Sequence, residues 1–244
     1  MEKSTYKIKF QKVKGGWVNY LMFLGIALLF THHKYIGLIF LIADIILTVI
    51  YKNNGENKSK VSFNYALRCA HEGKAKEAIE LLKEAIEYNK LNKEAYFFLG
   101  CILFDEEDYT NALDYFKRGH ADEISDPSLH YAMGRCYFHI ENYERAIEYL
   151  EAISYEGNEK LEKERLFVLG KSYAELENYN KAYDILKTLN FSLDELKGDS
   201  LEYCYYIGVS AFFTERIDEA KDYLNRVKEV DKAYKNIDLY IKNL

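Results

Sequence analysis

From Ser59 to the C-terminus, apolar side chains recur at intervals of three and four, the spacing of a helix with one buried face. The first sixty residues follow another pattern. Trp17–Thr31 holds only Asn19 and Thr31 as clearly polar side chains, His32, His33 and Lys34 interrupt, and Tyr35–Tyr51 is apolar again apart from Asp44 and Thr48. A single proline and 13 glycines in 244 residues leave little for the turns of a β fold, so the chain is read as all-α. Residues 1–16 then form a basic start, 17–51 a helical hairpin (17–31 and 35–51), and 52–58 a flexible linker without an apolar side chain.

The helical region repeats itself. Ala95–Gly100 is followed by Glu107–Ala112, and reworded copies return at Leu129–Gly134 with Glu141–Ala146, at Arg165–Gly170 with Glu177–Ala182, and at Tyr203–Gly208 with Glu215–Ala220. Ala78, Ala112, Ala146, Ala182 and Ala220 are separated by 34, 34, 36 and 38 residues, and Ala66, Gly100, Gly134, Gly170 and Gly208 each lie 12 before one of them. Small residues at two points per unit mean two helices crossing closely, where a larger side chain would hold them apart. The period divides 59–230 into five pairs (59–92, 93–126, 127–162, 163–200 and 201–230), with 231–244 as a capping helix.

This pattern resembles the tetratricopeptide repeat, an α-solenoid of helix pairs with a 34-residue period. The second unit matches with Tyr96, Leu99, Gly100, Leu103, Tyr109, Ala112 and Phe116. The third has Met133, Gly134, Tyr137, Tyr143, Ala146 and Leu150, and the fourth Leu166, Leu169, Gly170, Tyr173, Tyr179, Ala182 and Leu186. The fifth is looser, the first has Ala66 in place of glycine, and the family's closing proline is missing throughout. The resemblance implies a right-handed superhelix with one continuous core, and a concave groove, lined by the first helix of each pair, that holds a peptide or a partner helix. The groove positions it implies are Phe63, Phe97, Phe104, Tyr131, Arg135, Phe138, Phe167, Lys171, Tyr205 and Phe212, with Leu67, Cys101 and Val209 between them. Such aromatics suit an apolar peptide or amphipathic helix, and Arg135 and Lys171 add cations for a carboxylate. The alternative is that the aromatics pack against the neighbouring repeat. The family's clamp for acidic chaperone tails is replaced by Phe63, Leu67 and Phe98, which disfavours that ligand.

The hairpin reads as two short transmembrane helices. Its runs would be about 22 and 25 Å long at ~1.5 Å per residue, somewhat short of the ~30 Å hydrocarbon core. Snorkelling by Lys14, Lys34 and Lys52 absorbs the difference, and a re-entrant hairpin is the alternative. Cleavage as a signal peptide is disfavoured because no small-residue site follows Phe30. Lysines 3, 7, 9, 12 and 14 precede the hairpin and 52, 58 and 60 follow it, with Lys34 alone in the turn. That bias implies a multi-pass cell-membrane protein with its N-terminus and helical array cytoplasmic, the lysines facing anionic lipid headgroups. Asp44 at mid-span costs about 2.5–3.5 kcal/mol. It is expected in a hydrogen-bonded intramembrane contact, with Asn19 about one turn away or with another membrane protein, or else to sit neutral and unpaired.

Charge excludes one class of partner. Residues 1–60 carry nine lysines against Glu2, Asp44 and Glu56, so a formal −6 overall leaves −12 on the rest, which repels nucleic acid. Cys69, Cys101, Cys136 and Cys204 lie in apolar helical patterns without a paired spacing and read as buried free thiols. The six histidines show no metal spacing, and no nucleophile or phosphate-loop motif is present, so neither enzyme activity nor a cofactor or metal is expected. Two readings compete. One is a membrane-anchored scaffold that binds a protein or peptide in its groove; the other is a structural subunit of a membrane complex held by its hairpin. Homo-oligomerisation stays open.

Overall fold

The computed structural model describes residues 8–119 and 127–244. Lys3 and Lys7 of the basic start, and the end of the second pair at 120–126, lie outside the described residues. Among the described residues there are 13 helices and no strand, and the chain divides into two compact units between residues 122 and 123.

The first unit opens with the hairpin, α1 (Asn19–Leu29) and α2 (Lys34–Asn53). Helix α2 has 20 residues and is long and apolar enough to cross a membrane; at ~1.5 Å per residue it is about 30 Å long. Helix α1 has only 11 residues, shorter than the expected 17–31 span. Gly15, at φ 98, starts hydrogen-bonded turns that lead into it, and at its far end the Thr31 hydroxyl donates to Leu28 O at 2.8 Å. Gly25 and Gly37 let the two backbones touch: a Cβ on Gly37 would lie 2.7 Å from Gly25 O. The buried and half-buried positions of this segment, Val18, Leu21, Gly25 and Leu28, recur at three and four, a single stripe.

The expected linker at 52–58 is replaced by helix. Helix α3 (Gly55–His71) begins with only Asn54 between it and α2. The polar stretch proves to be a helix start: the Asn54 side chain accepts the Asn57 N–H at 3.1 Å, and Glu56 stands in the first turn with Lys60 at 2.7 Å. Helix α3 pairs with α4 (Ala75–Tyr88), and α5 (Lys93–Asp105) with α6 (Tyr109–Gly119), around a core of Phe63, Ala66, Leu82 and Leu99.

The second unit contains α7 (Pro127–His139) with α8 (Tyr143–Glu151), α9 (Glu159–Glu175) with α10 (Tyr179–Leu186), and α11 (Asp199–Phe213) with α12 (Ile217–Val230). A short α13 (Ile237–Ile241) follows, so the expected capping helix over 231–244 is cut to its middle. Leu150, Leu186, Ile207, Leu224 and Val227 are fully buried here, each removing enough apolar surface from water for about 1.5–3 kcal/mol. The recurrent glycine makes this possible, since a Cβ on Gly134 would meet Leu150 Cγ at 2.7 Å. The longer spacing toward the C-terminus is taken up by the connectors 152–158 and 187–198.

One turn closes four of the five pairs. Glu107, Glu141, Glu177 and Glu215 all take positive φ, between 58 and 63, and Gly73 fills the same place in the first pair. The residue after each sends its N–H back to the preceding helix, as Asn142 does to Tyr137 O at 2.9 Å. Asn142 and Asn178 then cap the following helix through their side chains, and Asp108 does the same for α6, its Oδ1 accepting the Asn111 N–H at 3.3 Å.

Candidate partner-binding faces

In the second unit, the first helices α7, α9 and α11 carry the expected groove positions, and the structure separates them by burial. Tyr131, Phe167, Lys171 and Tyr205 are buried; Arg135, Phe138 and Phe212 remain half-buried. Tyr131 packs edge-on against Tyr155 at 6.2 Å, and burial raises its phenol pKa. The Arg135 guanidinium lies 5.6 Å from the Tyr131 ring. The Lys171 ammonium sits between two aromatic faces, 4.8 Å from the Phe138 centroid and 4.6 Å from Phe167, and is salt-bridged to Glu202 at 2.7 Å. Lys171 therefore already has a carboxylate, as a lysine at 8% exposure requires. It is not the free cation that the resemblance implied.

Tyr205 departs further from the expectation. The chain's own C-terminal segment covers it, with Tyr234 at 5.5 Å, Tyr240 at 6.3 Å and the Lys235 ammonium 4.9 Å over its ring. Lys235 Nζ also donates to Tyr206 Oη at 2.8 Å, and that hydroxyl donates to Glu175. Burial lowers the Lys235 pKa. Phe212 lies 5.7 Å from Tyr240. Half-buried Arg135 and Phe138 lie on this face beside the Lys171–Glu202 ion pair, with Lys171 over the Phe138 ring.

In the first unit Phe63 is not a groove residue. It is fully buried, edge-on to Phe98 at 6.0 Å. Leu67 and Cys101 are buried too. Phe97 and Phe104 are half-buried and face second-helix rings of their own pair, Phe116 at 5.5 Å and Tyr109 at 5.0 Å. The space left at the recurrent glycine is filled from the second helix: a Cβ on Gly100 would lie 2.5 Å from the Phe116 ring, which Phe97 packs against.

Asp44 and Asn19 do not meet. Asp44 is 9% exposed, and its Oδ1 has no hydrogen-bond partner among the described residues. Asn19 falls off the α1 stripe that faces α2 and instead lines an open cavity of about 600 Å³ with Lys14, Thr48, Tyr51 and Asn57. The depths were matched, but the faces were not.

Sequence reasoning missed Asn57, Asn64 and Asn92. The Asn57 Oδ1 accepts the Lys14 N–H at 2.9 Å, while its Nδ2 donates to Lys14 O and Tyr51 O, both at 3.0 Å. Asn64 holds Gln11 in the same way, accepting its N–H at 2.7 Å and donating to its carbonyl at 2.8 Å. Two asparagines seven apart on an otherwise apolar-patterned helix were the available signal. Cys136 and Cys204 are buried thiols with pKa values pushed up to about 12 and about 11 by burial.

Comparison with known proteins fixes the class of fold. Residues 71–153 match the family model for the anaphase-promoting complex, cyclosome, subunit 3, about a third of the chain. The crystal structure of YrrB, described as a TPR protein with an unusual peptide-binding site, superposes with a TM-score of 0.61 at 18% identity, covering 81% of this chain and 97% of that one. The fold is tetratricopeptide-like. MamA from Desulfovibrio magneticus RS-1 is similar at a TM-score of 0.57 and 20% identity, over 74% of this chain and 98% of its own. Pseudomonas aeruginosa pilF gives 0.57 at 13% identity, over 93% of this chain and 97% of its own. No curated protein gives a significant sequence match.

Proposed function

We propose that this chain is a membrane-anchored, non-enzymatic interaction scaffold whose α7–α9–α11 face receives a segment of a protein partner at the cytoplasmic membrane surface. The observation that carries the reading is the juxtaposition of half-buried Arg135 and Phe138 with the Lys171–Glu202 ion pair. A partner segment with an apolar side chain beside a carboxylate would pack on Phe138, and its carboxylate competes with Glu202 for Lys171. The tetratricopeptide-like fold supports a binding role, since YrrB is described as having a peptide-binding site. Anchoring is supported by α2, whose apolar side chains are largely exposed: Ile39 at 65% and Ile45 at 63%. The lysines flanking the hairpin favour a cytoplasmic array and contact with anionic headgroups.

The face is tested by Arg135→Glu combined with Phe138→Ala in the full-length, detergent-solubilised protein. Partner recovery, quantified by mass spectrometry against wild type, is expected to fall at least about tenfold, a loss typical of one interface hot spot. Circular dichroism should be unchanged. Wild-type recovery from a folded double variant would exclude this face.

A second reading has its own observation. The unpartnered Asp44 carboxylate supports a hairpin that contacts another membrane protein, with the array as a passenger.

A further inference from the structure

Residues 8–13 run without helix or turn alongside α3, and they are held as a bound peptide would be held. Asn64 takes both main-chain groups of Gln11, and Asn57 takes both main-chain groups of Lys14. The spacing is matched. Seven residues of α3 rise about 10.5 Å, and three residues of extended chain span about 10 Å. The strand therefore runs antiparallel to α3 with successive contacts in register. A carboxamide is suited to this role because it offers one acceptor and a donor side by side, the complement of one residue's N–H and C=O.

Side-chain contacts add selectivity. Gln11 and Asn92 exchange amide hydrogen bonds, Gln11 Nε2 donating to Asn92 Oδ1 at 2.8 Å and Asn92 Nδ2 donating back at 3.2 Å. Asn92 is 5% exposed and fixed from behind: its Nδ2 donates to Ser59 Oγ at 2.8 Å, and its Oδ1 caps α5 at Ala95 N–H. Ile8 packs against the first unit's core, and the Phe10 ring lies 5.8 Å from the Arg68 guanidinium. Lys14 adds an exposed ion pair to Glu56 at 2.9 Å.

We propose that the α3 face bearing Asn57 and Asn64, with Asn92, is a peptide site that reads main chain, and that residues 8–14 are its resident ligand. The partner it fits is an extended segment with an apolar residue, an aromatic and then a glutamine at the places of Ile8, Phe10 and Gln11. Such a segment displaces the chain's own N-terminal strand. Asn57 also holds the Tyr51 carbonyl at the end of α2, so occupancy of this site and the seating of the hairpin share one side chain. The site lies wholly on the first unit and stands whether or not the α7–α11 face binds anything.

The test weakens the resident strand and offers it back in trans. Proline at 11 and 14 removes the two N–H groups that the asparagines accept, without touching α3. In full-length Gln11→Pro, Lys14→Pro protein, a fluorescent peptide of residues 8–16 should bind at least tenfold more tightly than to wild type, where the site is filled. Adding Asn64→Asp, which replaces the donor with a second acceptor facing the Gln11 carbonyl, should abolish that binding. A peptide carrying Gln11→Ala should bind more weakly, while one altered only at Lys12 and Val13 should bind unchanged. Faster tryptic cleavage after Lys9 and Lys12 reports release of the segment in the proline variant. A released strand with no binding in trans would overturn the proposal, as would equal binding to wild type and variant.

Discussion

Arg165 carries a permanent charge at 7% exposure, and its surroundings show how the second unit tolerates it. Its guanidinium donates to Leu150 O at 2.7 Å, tying α9 back to α8, and grips Glu162 through Nε at 2.9 Å and Nη2 at 2.5 Å. The Arg165 bonds and the Tyr155 N–H that Glu162 accepts hold its carboxyl below the ordinary 4.5. Because the folded pKa is depressed, the stabilisation is full above the unfolded value and is lost as pH falls through the folded one. Glu162→Gln should cost about 1–2 kcal/mol at pH 7, since Glu162 is partly solvated but Arg165 is not. In urea denaturation followed across pH, the gap between wild type and variant should close below about pH 4.5. A gap that persists at pH 3 would assign the loss to shape rather than charge. Side-chain pairings of this kind were not readable from the sequence, where Arg165 stands as one more polar residue before a repeat. Phe63 and Tyr205 were misplaced for the same reason. Their positions in the period are correct, but burial depends on rings arriving from Phe98, Tyr234 and Tyr240.

At the scale of elements, the local rules carried most of the reading. The five pairs follow from small residues twelve apart, and the glutamate turns supply the same left-handed step each time. The errors fall at element ends, where capping decides. Asn54 and Glu56 turned an apparent linker into a helix start, and the glycine at 15 with the threonine at 31 shortened α1. Gly25 and Gly37 set the hairpin's close approach in the structure, while the expected pairing of Asp44 with Asn19 failed because depth does not specify face. Under the proposed anchoring, an Asp44 whose Oδ1 has no partner among the described residues would need a donor. If that donor belongs to another membrane protein, Asp44→Leu should cut co-purification of membrane partners severalfold, while Asp44→Asn, which keeps hydrogen-bonding capacity, should retain more than half. Equal recovery with all three side chains would remove the hairpin contact and leave the groove reading alone.

At the scale of the whole molecule, the proposed anchoring implies an orientation that the fold alone does not supply. The +6 of residues 1–60 sits at both ends of the hairpin, and the −12 of the remainder would be repelled by anionic headgroups if it lay flat on them. Lys14 and Lys52 line one open cavity, so both flanks of the hairpin carry their cations at the end where α3 begins. In the proposed anchored arrangement, α2 of about 30 Å would cross, Thr31 would lie at the far side and Cys69 with the array. In intact cells, a membrane-impermeant maleimide should label Thr31→Cys within minutes and leave Cys69 unmodified until the membrane is permeabilised. Cys69 is the informative internal reference because it is only half-buried, whereas Cys101, Cys136 and Cys204 are buried. Labelling of Cys69 in intact cells would invert the orientation. Protection of both sites before permeabilisation, with the protein still resisting alkaline extraction, would instead make the hairpin re-entrant, with α2 tilted and its tip held inside the bilayer.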